Sequence, residues 1–137
     1  MNLYSGKAAM DQAESGTYSL GNWMRTIVDY VRSGEPDLTN RQMALMLTVY
    51  VHEGPHTVRG LAEALNVSKP VITRALNKLS ALGYLRRERD VSDRRNIFVA
   101  KTDKGADFLD GFKAFIAGSA RDDRPQGKER LGRHISA

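Results

Sequence analysis

Residues 61–105 read L-A-E-A-L-N-V-S-K-P-V-I-T-R-A-L-N-K-L-S-A-L-G-Y-L-R-R-E-R-D-V-S-D-R-R-N-I-F-V-A-K-T-D-K-G, and their punctuation decides the fold. Asn66-Val67 is a tight turn between two apolar patterns of helical period. Ahead of it, Thr57 caps a short helix over about 57–65 that turns Val58, Leu61, Ala62 and Leu65 inward. Behind it, Ser68 caps a helix over about 68–82, with Pro70 in the first turn, where a missing N–H is harmless. The inward stripe of that helix is Ile72, Ala75, Leu76, Leu79 and Leu82, and Gly83 ends it. Two short helices joined by so short a turn form a helix-turn-helix unit.

After Gly83 the period changes. Tyr84 to Arg89 and Asn96 to Lys101 read as strands, the second rich in β-branched and aromatic residues. The polar loop 90–95 between them makes a wing, so the wing region covers 84–101. Working outward, Leu20, Trp23, Met24, Ile27 and Val31 recur at three and four and predict an amphipathic helix over about 20–33, closed by Ser33-Gly34 and Pro36. Thr39 caps a helix over about 39–53 with the stripe Met43, Met46, Leu47 and Tyr50. Thr102 and Asp103 open a last helix to about 118 through Phe108, Leu109, Phe112, Phe115 and Ile116. The expected fold is therefore α+β and mostly helical. It is a winged helix-turn-helix with a two- or three-stranded wing sheet and flanking N- and C-terminal helices. One domain spans 18–119, between flexible tails at 1–17 and 120–137.

The chain has 137 residues, enough for a single core. It holds no run of the roughly 20 apolar residues a membrane span needs, and its N-terminus has no signal-peptide pattern. Cysteine is absent, which excludes disulfides and thiol chemistry. These features predict a cytoplasmic protein without a cofactor. Net charge is +5, but its placement is uneven: residues 69–104 hold ten Lys and Arg against four Asp and Glu, whereas residues 1–68 hold five against seven. So concentrated an excess is the footprint expected on a polyanion.

The helix over 68–82 explains both of its faces. Opposite the apolar stripe lie Lys69, Thr73 and Asn77, flanked by Pro70, Arg74 and Lys78. In a major groove Arg forks onto guanine, Asn pairs with adenine, and Thr or Lys reaches an edge or a phosphate. Within a dozen residues follow Arg86, Arg87, Arg89, Arg94 and Arg95, suited to the negative potential of a narrow minor groove. Asp90 and Asp93 are placed to pair with these arginines and hold the tip in shape. A surface helix with a solvated basic hairpin is the bland alternative, and the ordered combination argues against it.

The stretch 61–105 resembles the DNA-binding core of the MarR family of bacterial regulators. That family shows L-A-x-x-L, then S-x-P-x-[VIL]-T-R, L-x-x-x-G-[YLI]-[LIV]-x-R, a D-x-x-D-x-R wing and a T-x-x-G helix start. The resemblance places Ser68, Lys69, Pro70, Thr73 and Arg74 at the start of a recognition helix and Arg94 or Arg95 at the wing tip. It implies a sequence-specific double-stranded DNA-binding transcriptional regulator, acting as a repressor on the nucleoid. It also implies a homodimer and release by a small-molecule effector, for which Trp23, Tyr30, Met43 and Met46 are candidate pocket residues. Family members usually finish with two long helices that build the dimer, whereas only the stretch to about Gly118 reads as helical here. Phe108, Phe112 and Phe115, with Trp23 and Tyr30, are candidates for that interface or for plain core. The shortened end is the main support for a second reading, a winged-helix protein–protein interaction module that does not read DNA.

His52-Glu53-Gly54-Pro55-His56 matches the H-E-x-x-H zinc-hydrolase pattern. That chemistry needs both imidazoles one turn apart on one helix. Pro55 clashes with the preceding turn and disfavours helix at Gly54. No third ligand is evident, so neither a metal site nor an enzyme is expected.

Overall fold

Caps and turns, more than helix propensity, set where the elements begin and end. The computed structural model describes residues 7–121, with side chains from 19 to 119. In chain order the elements are α1 (Lys7–Arg32), α2 (Asn40–Val51), β1 (His56–Thr57), α3 (Val58–Leu65), α4 (Lys69–Ala81), β2 (Leu85–Arg89), β3 (Ile97–Lys101) and α5 (Asp103–Arg121). Residues 36–110 form one compact unit; residues 7–35 and 111–121 belong to a second.

In the unit of residues 36–110, Leu45, Met46, Val49, Leu61, Ile72, Leu76, Leu79 and Leu85 are all but sealed from solvent. Each such side chain contributes about 1.5–3 kcal/mol by leaving water. Asn66 closes α3 in the left-handed conformation at φ 54°, which Asn tolerates better than most residues. Gly83, at φ +79°, turns the chain from α4 into β2. The sheet is antiparallel in the order β1-β3-β2, with Leu85 opposite Lys101, Arg87 opposite Val99 and Arg89 opposite Ile97. Of the two or three strands expected, the third is the short β1, in which Thr57 also caps α3 by accepting from Gly60 N–H.

Thr39 caps α2 reciprocally: its hydroxyl accepts from Gln42 N–H, and Gln42 Oε1 accepts from Thr39 N–H at 2.9 Å. Thr39→Ala removes one half of this box and should cost about 1 kcal/mol, read as a lower denaturant midpoint at unchanged slope.

Around Tyr50 three separate segments meet. Its hydroxyl donates to Tyr84 O at 2.8 Å and accepts from Thr102 N–H at 3.0 Å. Thr102 in turn donates from Oγ1 to Gly83 O at 2.6 Å and accepts from Gly105 N–H, which caps α5. Gly105 is buried here, and a Cβ on it would overlap the Tyr50 hydroxyl and the Tyr84 carbonyl oxygen. Tyr84 stacks on Phe108 at 4.6 Å between ring centroids.

The other unit departs most from expectation. α1 begins at Lys7, not near Leu20, so residues 7–17 of the expected N-terminal tail are helical. Ala8, Ala9 and Ala13 favour helix, but no apolar period marks them, and Gly16 and Gly21 disguise the continuity at a cost of roughly 1 kcal/mol each. The apolar stripe of the expected amphipathic helix is also not the buried face. Leu20, Met24 and Val31 are 69%, 56% and 68% exposed, whereas Thr26 and Tyr30 are buried. Thr26 Oγ1 donates to Asn22 O at 2.9 Å and lies 3.0 Å from Ser119 Oγ, so a polar contact anchors α1 against α5. Tyr30 meets Phe112 edge-on at 5.6 Å, and Trp23 meets Phe112 at 6.1 Å. The aromatic residues therefore pack within the unit, whatever else they do. α5 runs through Gly118 to Arg121. The remaining tail residues, 1–6 and 122–137, lie outside the described residues.

Candidate nucleic-acid interface

α4 buries Ile72, Ala75, Leu76 and Leu79 and so exposes a defined opposite face. Lys69, Pro70, Thr73, Arg74, Asn77 and Lys78 are all exposed on it, as the sequence predicts. Ser68 stands at the N-cap, but its hydroxyl makes no capping bond to the helix. Pro70, at the start of the helix, removes an N–H that the cap would otherwise need to satisfy. Ser68 is itself exposed, so its hydroxyl faces solvent beside the helix start. Backbone N–H groups at that end favour an anion.

The wing reaches back to this face. Strand period two puts Leu85, Arg87 and Arg89 on one side of β2; Leu85 on that side is buried. Arg87 Nη2 donates to Asn77 Oδ1 at 2.6 Å and to Thr73 O at 3.2 Å. The sequence reading missed this bridge. The alternation of Leu85 with Arg87 was the available signal, since the residue two beyond a buried strand leucine lies on the same face.

At the wing tip the carboxylates do not pair with arginine as expected. Asp90 Oδ1 accepts from Ser92 N–H at 2.9 Å and from Ser92 Oγ–H at 2.7 Å, and Asp93 Oδ1 accepts from Arg95 N–H at 3.0 Å. Side chains this short satisfy nearby backbone N–H groups more cheaply than they order a long guanidinium. The two bonds from Ser92 hold the Asp90 carboxyl below its ordinary pKa. Arg86 pairs with Glu88 at 2.6 Å, on the strand and not at the tip. Arg94 and Arg95 are exposed, and among the described residues neither has an acidic partner.

The four candidate pocket residues divide between the units, Trp23 and Tyr30 in one, Met43 and Met46 in the other. Met46 is fully buried in its own core. His52 closes α2 and His56 lies in β1, so the two imidazoles share no helix; His56 Nε2 sits 2.9 Å from His52 O.

Residues 37–96 match the model of the MarR family. The HTH-type transcriptional regulator YkoM of Bacillus subtilis (strain 168) is 30% identical over 78 residues, 57% of this chain, and the chain spans 50% of that relative's length. Among solved structures, the YusO protein of Bacillus subtilis is 21% identical with a TM-score of 0.65, covering 97% of this chain and 95% of its own. A mutant of S. aureus MepR bound to an oligodeoxyribonucleotide is 16% identical with a TM-score of 0.65, covering 97% and 93%. A transcriptional regulator of Thermotoga maritima is 22% identical with a TM-score of 0.64, covering 93% and 85%. At these identities the structures share the fold with this chain. The match over residues 37–96, with the ordered motifs around α4 and the wing, makes the winged helix-turn-helix of this chain similar to that of the MarR family.

Proposed function

We propose that this chain is a sequence-specific double-stranded DNA-binding transcriptional regulator that acts as a repressor, with α4 in the major groove and loop 90–95 in the adjacent minor groove. One observation carries the reading: the hydrogen bond from Arg87 on β2 to Asn77 on the exposed face of α4. It makes the basic hairpin continuous with the polar side of the helix, so both address one partner. Two cationic surfaces turned the same way suit a duplex, whose adjacent grooves lie within reach of a helix and its wing. Binding of DNA by a protein of this fold, the MepR mutant, supports the same reading.

A homodimer belongs to this proposal. Leu20, Met24 and Val31 form an exposed apolar stripe on α1, an arrangement that a second copy would cover. Two copies would read an inverted repeat.

Selection of binding sites from random duplexes tests the whole reading. An inverted repeat should emerge, with half-sites about 10 bp apart or a multiple of that; a library that stays unenriched overturns it. Arg74, exposed in the second turn of α4, should read one base pair. Arg74→Ala is expected to weaken binding to the selected site by about 1–3 kcal/mol and to relax preference at one position per half-site. Titration of the selected duplex and its single-base variants measures both effects.

A further inference from the structure

We infer that Asn77 reads guanine, not the adenine that an asparagine in a major groove usually selects, because Arg87 holds its carbonyl oxygen. The inference rests on the proposed DNA reading and deepens it. A guanidinium has only donors. The Asn77 atom that Arg87 Nη2 approaches at 2.6 Å is therefore the oxygen, and the carboxamide is oriented by chemistry. Arg87 is itself fixed by its second bond, to Thr73 O one turn earlier on α4. Both side chains are exposed, so the pair forms part of the outward surface of α4.

With the oxygen held beside a positive charge, Asn77 offers its NH2 group outward. Nε and Nη1 of Arg87 have no bond to the protein among the described residues, and add further N–H groups at the same edge. The combined edge is made of donors. Adenine shows the major groove an N7 acceptor beside an N6 amino donor, and asparagine selects it by accepting from N6 while donating to N7. That acceptance now requires an amino group to approach an oxygen next to a guanidinium. Cytosine shows an amino donor as well. Guanine shows two acceptors, O6 and N7, and matches a donor-only edge. Arg87 is thus a positioning residue that sets the specificity of Asn77.

The test uses the full chain and duplex selection with wild type, Asn77→Ala, Arg87→Ala and Arg87→Lys, followed by affinities at one fixed salt concentration. In wild type one position per half-site should favour guanine over adenine by about tenfold, the size of one good base contact, and Asn77→Ala should level that position. Arg87→Ala releases the oxygen, so the same position should shift towards adenine by about tenfold. Arg87→Lys still presents only donors and should keep the guanine preference. Because Arg87 is exposed, the variants are expected to fold; thermal melts establish this before binding is measured. Each of these results would overturn the inference: adenine at that position in wild type, base preferences unchanged in Asn77→Ala, or a loss in Arg87→Ala that is uniform across all sequences. The last would make Arg87 a phosphate contact. If wild type binds no duplex at all, the proposed function falls with it; if it selects a site that Arg87→Ala leaves unaltered, this inference falls alone.

Discussion

Raising salt from about 50 to about 200 mM is expected to weaken binding of the selected duplex by about 10³–10⁵-fold, if about six to ten phosphates are contacted. Lys69 and Lys78 on α4 and Arg94 and Arg95 on the wing are exposed and are the cations for this count, Arg74 being assigned to a base. A dimer would double them and fall within the range. Arg86 and Arg87 add less, since Glu88 neutralises the first and Asn77 engages the second. Each phosphate neutralised releases condensed counterions, so a log–log plot should fall with a slope of about −0.9 per contact. Arg94→Ala combined with Arg95→Ala should flatten that slope while leaving the base preferences of α4 in place. Affinity that ignores salt would show that a different surface holds the duplex.

Gly105→Ala is expected to destabilise the unit of residues 36–110 by about 3–5 kcal/mol. The added Cβ would overlap two oxygens at once, the Tyr50 hydroxyl and the Tyr84 carbonyl, and neither is the loose end of a flexible chain. Tyr50 is held through its bonds to Tyr84 and Thr102, and Tyr84 O belongs to the backbone entering β2. Overpacking alone costs about 1–3 kcal/mol, and moving the phenol breaks hydrogen bonds worth roughly 0.5–1.5 kcal/mol each. Thermal unfolding followed by circular dichroism should show a fall in Tm on the order of 15 °C or more. Gly111→Ala, at a position of α5 with open space around it, is the control and should be neutral or slightly stabilising. Equal melting of the two variants would mean that the crowding at Gly105 is relieved at little cost.

The sequence declared α4 and the wing because their boundaries are chemical and local. Ser68 with Pro70 starts the helix, Gly83 stops it, and the change from helical period to strand period marks β2. Thr39 and Thr57 announced their helices in the same way, and the structure shows their side chains capping. α1 was harder to read. Its buried positions include the polar Thr26, whose partner Ser119 lies 93 residues away, and its most regular apolar stripe faces outward. Periodicity reports that a helix has two faces without saying which one the protein covers. The bridge from Arg87 to Asn77 depends on how a strand crosses a helix, and the tip carboxylates choose between backbone and guanidinium by loop shape. Neither is written in residue order.

Tyr84, just before β2, and Thr102, just after β3, are bonded to the same phenolic oxygen. Both feet of the hairpin are thereby riveted at one point, and its freedom to flex is left to the far end. Amide hydrogens near the rivet would exchange only when the whole unit opens, while those around residues 91–95 would exchange in the native state. In the proposed complex, a lever pinned at its base would follow the local width of a groove without tilting the helix proposed to read the sequence.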